Sequence, residues 1–512
     1  MMALYPSRFN LDTWAKLGNK DWDFDALAPY FRKFATVHSP DASARDVCGM
    51  TYHDESLAGE GPVNVSWGNG YGPINSSWME SFEKNNLKMT TDPRSGKAIG
   101  AFQNGATIDP KTKTRSWAQS AYLTPTVMAR KNLAVLVDTL VIKVVTEAKG
   151  DETVATGIAT KDKSGTEKII TANKEVIVSA GALQSPQILE LSGIGNKKLL
   201  ESHGIPVVVD NPNVGEHLQD HPIVCVSYEV NEGVPSGDAL SNPEAFKAVF
   251  EAYQMAREGP LGQSTISVAY TPLPDGKGLA SRSDKEALLN EYLPRAEADQ
   301  QRASTEKETA LLRELVLSDD EPTIQYLLFP FQITIDDKPG NMSSLILPSR
   351  PEHYLTIMSI LNHPFSRGSC HITSADASVK PEWDPKFNAN PADLEMLARS
   401  VQFSERIART APFSDMLKPG GARNPEIVGD SLEDAREVVR QRQISVYHPS
   451  SSCAMLPKEL GGVVDERLRV YGVKGLRVVD ASVFPLQPLG NIQSTVYAVA
   501  EKAADMIKED WR

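Results

Sequence analysis

Hydrophobic positions along this chain recur in two periods, and the changes of period mark its elements. A short helix is expected around Phe24 to Phe34. Val63, Val65 and Trp67 alternate as a strand does. Asn132 to Val145, NLAVLVDTLVIKVV, reads as two apolar strands. Val176-Ile177-Val178 is a third, running into a Ser-Ala-Gly turn. Ser185 then suits a helix N-cap, Pro186 the first helical position, and Gly193 the stop. Ile223 to Val230, Gln325 to Phe329 and His353 to Ile360 read as strands of an antiparallel sheet. Between them, Asp275 to Pro322 is charged, with helical runs such as Glu306 to Leu317, and is expected to be a solvated helical insertion.

The tail, Tyr447 to Ile507, concentrates the candidate chemistry. Leu476 to Val479 is a β-branched, apolar strand stopped by Asp480. In an α/β sheet ligands sit outside the carboxyl ends of strands, which places Asp480 and Ala481 beside one. Val496, Val499, Ala500, Ala503 and Ile507 recur at helical spacing, so one face of a helix beginning after Asn491 packs inward. The start of that helix offers free N–H groups and a partial positive charge. His448 is a candidate base, although a lone His-Pro pair is more often a satisfied structural histidine. A base, an amide at a helix start and a dipole aimed at one point are what proton abstraction with hydride transfer to a flavin uses.

The bulk properties narrow the class. At 512 residues the chain is long for one domain, so two are expected, and 41% hydrophobic residues provide a sizeable core. No apolar run reaches the length of a membrane span. A net charge of −13 disfavours nucleic acid or an anionic membrane as partner. Cys48, Cys225, Cys370 and Cys453 form no CxxC pair, so neither a zinc site nor a disulfide framework is indicated, and Cys453 is expected to be a small buried hydrophobe. No metal site is expected. His217 and His221 stand four apart, but the turn residues around them argue against a regular helix, and a linker role is expected. The sequence opens without a basic region and apolar core of a signal peptide, so a cytoplasmic location is expected and the sequons at Asn64, Asn75 and Asn341 are taken as chance matches.

Several blocks together resemble the glucose–methanol–choline (GMC) oxidoreductases. In the tail these are His448-Pro449, Cys453, then VVDERLRVYGVKGLRVVDAS with Glu466 and Lys474 at variable places, then Gly490-Asn491 and AEKAAD. Gly181, Ser185-Pro186 and Ser192-Gly193-Ile194-Gly195 fit the family's second signature. Arg8, Asp12, Trp14, Leu17-Gly18-Asn19, Trp22 and Pro29 to Lys33 are similar to the segment after its first, in the wording of fungal members. Weaker matches are Arg115 to Pro125, where Trp117 replaces a serine, Val214-Gly215 with Leu218 to Pro222, and Arg367 to Ser374 with Trp383-Asp384-Pro385.

The resemblance implies an α/β fold: a Rossmann-like FAD-binding domain plus an α+β substrate domain on an antiparallel sheet. It implies an FAD-binding region over 1–222, a substrate domain over 223–440, and a return to the FAD-binding domain over 441–512. It implies FAD-dependent oxidation of a small-molecule alcohol, with His448 taking the hydroxyl proton and Asn491 holding the substrate oxygen. Ile492 and Gln493 would contact the flavin ring by backbone, Asp480 and Ala481 the ribityl and pyrophosphate portion, Ala180 and Gly181 the nucleotide, and Val141 the adenine. One family feature is absent from the sequence. Gly-x-Gly-x-x-Gly after a strand, which cradles the pyrophosphate, occurs nowhere, and the expectation is a chain that starts downstream of it. Two other readings therefore stay open: non-redox lyase or cyclase chemistry at the same histidine, and a fragment that no longer holds FAD.

Overall fold

The computed structural model describes all residues except 69, 265, 296–302, 335–344 and 346–348. The Asn341 sequon lies outside the described residues, as does part of the charged stretch.

Its largest sheet is antiparallel. The strands run Gly100–Gln103, Ser267–Thr271, Ile324–Phe329, Tyr354–Leu361 and Pro222–Glu229, side by side in that order. The short strands Arg423–Asn424 and Ile444–Ser445 both pair with Pro222–Glu229 at the far edge. Tyr326 faces Ala269 on one side and Ser359 on the other. Alternation along each strand sends side chains to two cores. Tyr326 and Leu328 point to the face shared with Met396, Val401 and Phe403 of the helix Pro391–Ala408. Leu327 points to the opposite face, among Leu4, Phe102, Tyr270 and Leu489. Gln325 shares that second side and reaches the tail from it.

The parallel pair is smaller. Leu476–Val478 pairs with Val176–Val178, Leu476 opposite Val176 and Val478 opposite Val178. No other described strand pairs with either one. Both strands end beside Asp480, which accepts from Gly181 N at 2.9 Å and Ser185 Oγ at 2.5 Å. The two connections are thereby fastened together at the carboxyl end.

Two long helices close the structure behind this point. Asp23 caps Phe24–Phe34 by accepting from Ala26 N, and Phe24, Leu27, Phe31 and Phe34 are its buried stripe. It packs on Gln493–Asp510, where Phe34 stacks on Tyr497 with centroids 5.1 Å apart. Thr495, Ala498, Val499, Lys502, Ala503 and Met506 form the inward face of Gln493–Asp510. Val499 and Ala503 lie where the spacing predicts, but Ala500 is exposed. The buried stripe is rotated because the helix contacts Phe24–Phe34 on one side and Lys502 is drawn in to donate to the Asp21 carbonyl over the Trp22 ring.

Three further sequence expectations need correction. The helix after Val176–Val178 starts at Gly181, so Ser185 is not its N-cap and Pro186 lies inside it. A proline cannot donate to the carbonyl four residues back, which would orphan Ala182 O in a buried place. Ser452 Oγ donates to that oxygen at 2.5 Å instead, and Ser185 is free to accept from Ala180 N and donate to Asp480. Ser452→Ala is expected to cost about 1–3 kcal/mol, the range for an unpaired buried polar group, read as a lower urea midpoint at unchanged slope. Leu133 to Val137 is not a strand: no described strand pairs with it and its side chains are exposed, Val137 to 75%. Only the second half of that run, Thr139–Lys149, pairs, with Glu152–Asp162. The helix Ala303–Leu317 is not solvated all round, because Leu311, Leu312, Leu315 and Val316 are buried in the main core.

Candidate active site

His448 is held by its backbone. Tyr447 before it adopts φ +64°, and Pro449 after it disfavours a helical conformation. Its N–H donates to Asp220 Oδ1 at 2.9 Å, and its carbonyl accepts from Gln487 Nε2 at 3.0 Å. Asp220 also accepts from His221 N and from Ser445 Oγ. Burial outweighs these bonds and pushes the Asp220 carboxyl up to about 6. The strap 219–221 therefore fixes 445–450, joined further by the Gln219 and Ser450 bridge.

Asn491 arrives from the other side. Gly490 has φ +76°, and a Cβ there would lie 2.3 Å from the Tyr270 hydroxyl, so only glycine fits. Gly490 N donates to Asn362 Oδ1 at 3.2 Å. The turn delivers Asn491 Nδ2 to 3.2 Å from His448 Nε2, while Asn491 Oδ1 accepts from Gln325 Nε2 at 3.3 Å. On the far side of His448, Nδ1 stands 3.0 Å from His221 Nδ1. His221 Nε2 stands 2.9 Å from the Asn362 carbonyl oxygen. Burial lowers His448 to about 4 and His221 well below the ordinary imidazole value, so both rings are neutral at pH 7.

The first turn of Gln493–Asp510 opens beside this pair. No side chain caps it, so its N–H groups are available to a ligand. Gln493 Oε1 and Gln325 Oε1 are buried with no hydrogen-bond partner among the described residues. Farther along, Gly181 has φ +82° and open space where a Cβ would stand. Val141, Ile177, Ala180 and Ile188 line one open cleft of about 430 Å³.

The structure thus brings His448 and Asn491 into contact, with Ile492 and Gln493 next to them. It gathers Ala180, Gly181, Asp480 and Ala481 at the carboxyl end of the parallel strands, and sets Val141 across the cleft from Ala180. Three participants were not apparent from sequence. His221 is no linker: it is buried against the His448 ring. Asn362 follows the strand Tyr354–Leu361, and Gln325 occupies a position inside an apolar strand. For Gln325 the available signal was a lone polar residue inside an apolar strand; Asn362, past the end of its strand and beside His363, gave none. His217, by contrast, lies away from the pair, with Nε2 3.0 Å from buried Glu308.

Comparison with known proteins follows this geometry. The GMC oxidoreductase family profiles match residues 1–223 and 364–500. The chain is 33% identical to a dehydrogenase of Monascus purpureus over 99% of this chain and 81% of that protein. It is 32% identical to a GMC oxidoreductase family protein of Malassezia sympodialis over 98% of this chain and 76% of that protein. Among solved structures, an FAD-dependent oxidoreductase from Chaetomium thermophilum matches with TM-score 0.86 at 27% identity, covering 100% of this chain and 85% of that one. A fungal aryl-alcohol oxidase matches with TM-score 0.83 at 28% identity, covering 100% and 84%. Two profile matches at the two ends of the chain, with relatives above 30% identity along nearly all of it, settle the assignment: the chain belongs to the GMC oxidoreductase family.

Proposed function

We propose that His448 and Asn491 are the alcohol-oxidising pair of this FAD-dependent oxidoreductase. The observation that carries the proposal is the 3.2 Å approach of Asn491 Nδ2 to His448 Nε2 at the uncapped start of a long helix. The alcohol hydroxyl replaces the Asn491–His448 contact and docks against both nitrogens. It gives its proton to His448 and accepts from Asn491, which steadies negative charge as it develops. Asn491 does not titrate, so His448 is the one base of the pair. When bound, FAD supplies the acceptor for the hydride leaving the carbinol carbon. Ile492 and Gln493 would hold the ring end of the cofactor with backbone N–H groups, where the helix start favours negative charge. Asp480, Ala481, Ala180 and Gly181 would hold the middle of the cofactor, and Val141 the adenine end. Residues 1–222 and 441–512 form the cofactor side and 223–440 the substrate side. Among the described residues no helix is long and apolar enough to cross a membrane; the substrate is a small molecule.

The test is the absorbance spectrum of the purified chain with FAD, followed by an alcohol panel. A bound-flavin spectrum that bleaches anaerobically with one alcohol class is expected. A protein that binds flavin but reacts with no primary or secondary alcohol would overturn the assignment. The pH dependence is fixed in sign: with His448 near 4, kcat/KM rises with pH through about 4 and is level above it. A profile that still climbs between pH 6 and 8 would show a different base.

A further inference from the structure

We infer that His221 is a positioning residue that holds His448 in the Nδ1–H form and so leaves Nε2 as the bare nitrogen facing Asn491. The inference rests on His448 being the base. It begins from the one atom in the chain of contacts whose role is fixed by chemistry. The Asn362 carbonyl oxygen only accepts. His221 Nε2, 2.9 Å away, therefore carries a proton and donates it. In a neutral His221 the other nitrogen, Nδ1, is then bare. It faces His448 Nδ1 at 3.0 Å, and two bare nitrogens at that distance would repel. His448 Nδ1 must carry the proton between them. A neutral His448 so arranged has its lone pair on Nε2.

The other end of the contacts agrees independently. Nε2 meets Asn491 Nδ2, a donor, at 3.2 Å. Asn491 Oδ1 is occupied by Gln325 Nε2 at 3.3 Å. Gln325, Asn491, His448, His221 and Asn362 O thus form one run of hydrogen bonds with a single direction. The rings of His221 and His448 cross at 85°, so Nδ1 of one points at the edge of the other rather than stacking. When the alcohol proton arrives at Nε2, it makes an imidazolium whose Nδ1–H already has an acceptor. The proton comes from the hydroxyl, stays on His448, and no second proton needs to leave. His221 is fully enclosed, with 0% exposure, so water cannot substitute for it.

The test is a two-bond 1H–15N correlation spectrum of the histidine-labelled full chain at pH 7, which reads the tautomer directly and needs no turnover. The His448 signal is assigned by its loss in His448→Asn. Protonated Nδ1 with bare Nε2 in His448, and the reverse in His221, is expected. Protonated Nε2 in His448 overturns the inference, whatever the activity. His221→Leu is expected to shift His448 toward the Nε2–H form and to lower kcat about 10²-fold, the scale of general-base catalysis, with KM little changed. His221→Asn keeps an acceptor oxygen near the place of Nδ1, and is expected to restore the Nδ1–H form and most of kcat. Equal losses in both variants with an unchanged His448 tautomer would leave His221 a packing residue and overturn the inference. Should His221→Leu not fold, the spectrum of the unsubstituted chain decides alone. A His448→Ala enzyme that keeps full activity would instead remove the base assignment, and that result is independent of which nitrogen carries the proton.

Discussion

His448→Ala is expected to lower the rate of alcohol oxidation by about 10²–10⁴-fold, the share general-base catalysis ordinarily supplies. The reading is the rate at which flavin absorbance falls on anaerobic mixing with saturating alcohol, because that isolates the chemical step from reoxidation. The loss should sit in the rate at saturation, with the half-saturating alcohol concentration nearly unchanged, since the proton is transferred only on the way to the transition state. Asn491→Ala removes the donor to the substrate oxygen and is expected to cost about 10²-fold. The two losses should not multiply in the double variant. Each residue works on the same oxygen, and Asn491 also orients the lone pair of His448 through its Nδ2. His448→Gln is the informative control. It keeps volume and a hydrogen bond to the strap but has no group that takes up a proton. It should be as slow as the alanine variant. A glutamine enzyme within tenfold of the wild type would mean that His448 positions the substrate and another group takes the proton.

The parts legible in the sequence are those written locally. The strands Ile223 to Val230, Gln325 to Phe329 and His353 to Ile360 lie within a residue or two of Pro222–Glu229, Ile324–Phe329 and Tyr354–Leu361, because runs of apolar, β-branched and aromatic residues between turns leave little choice. The pairing of His448 with Asn491 was legible through the motifs around them, not through any periodicity. The helix start at Gly181 was not legible. Ser185-Pro186 is a good local signal for a start, and what overrides it is a hydroxyl from Ser452, far along the chain, that takes up the carbonyl the proline abandons. Gly215 shows the same limit. Its place in a motif was visible, but the reason for it lies elsewhere: a Cβ would stand 2.2 Å from the Cys370 carbonyl. His221, Asn362 and Gln325 belong to three separate segments, and only tertiary packing turns them into one hydrogen-bonded run.

His371→Ala is expected to destabilise the protein most below about pH 6.5 and progressively less as pH rises through about 9, because it removes the cation paired with Glu190 on the Gly181–Leu191 helix. Glu190 on that helix is fully buried. Its Oε1 lies 2.7 Å from His371 Nδ1 and its Oε2 accepts from Ile372 N at 2.9 Å. Glu216 Oε1 stands 3.5 Å from His371 Nε2. The two partners respond oppositely. Burial raises Glu190, because the carboxylate is out of water and His371 offsets only part of that cost. Burial also works against the His371 cation, but its bonds to Glu190 and Glu216 win and push it up to about 9. The histidine gives the sign. Its folded value exceeds the ordinary 6.5, so the stabilisation is complete below about pH 6.5 and is lost as pH rises through about 9. His371→Ala should therefore unfold at a lower urea midpoint than the wild type at pH 6, and the two midpoints should converge toward pH 10. Midpoints that stay parallel from pH 6 to 10 would mean that the pair carries no charge-dependent stability. The consequence for function follows from where the helix begins. Ala180 and Gly181 are its first residues, and Gly181 N is bonded to Asp480. On the proposed role of Ala180 and Gly181 as part of the FAD cradle, a helix freed at Glu190 loosens that cradle, so the His371→Ala protein should release FAD faster than the wild type at pH 6 and no faster near pH 10.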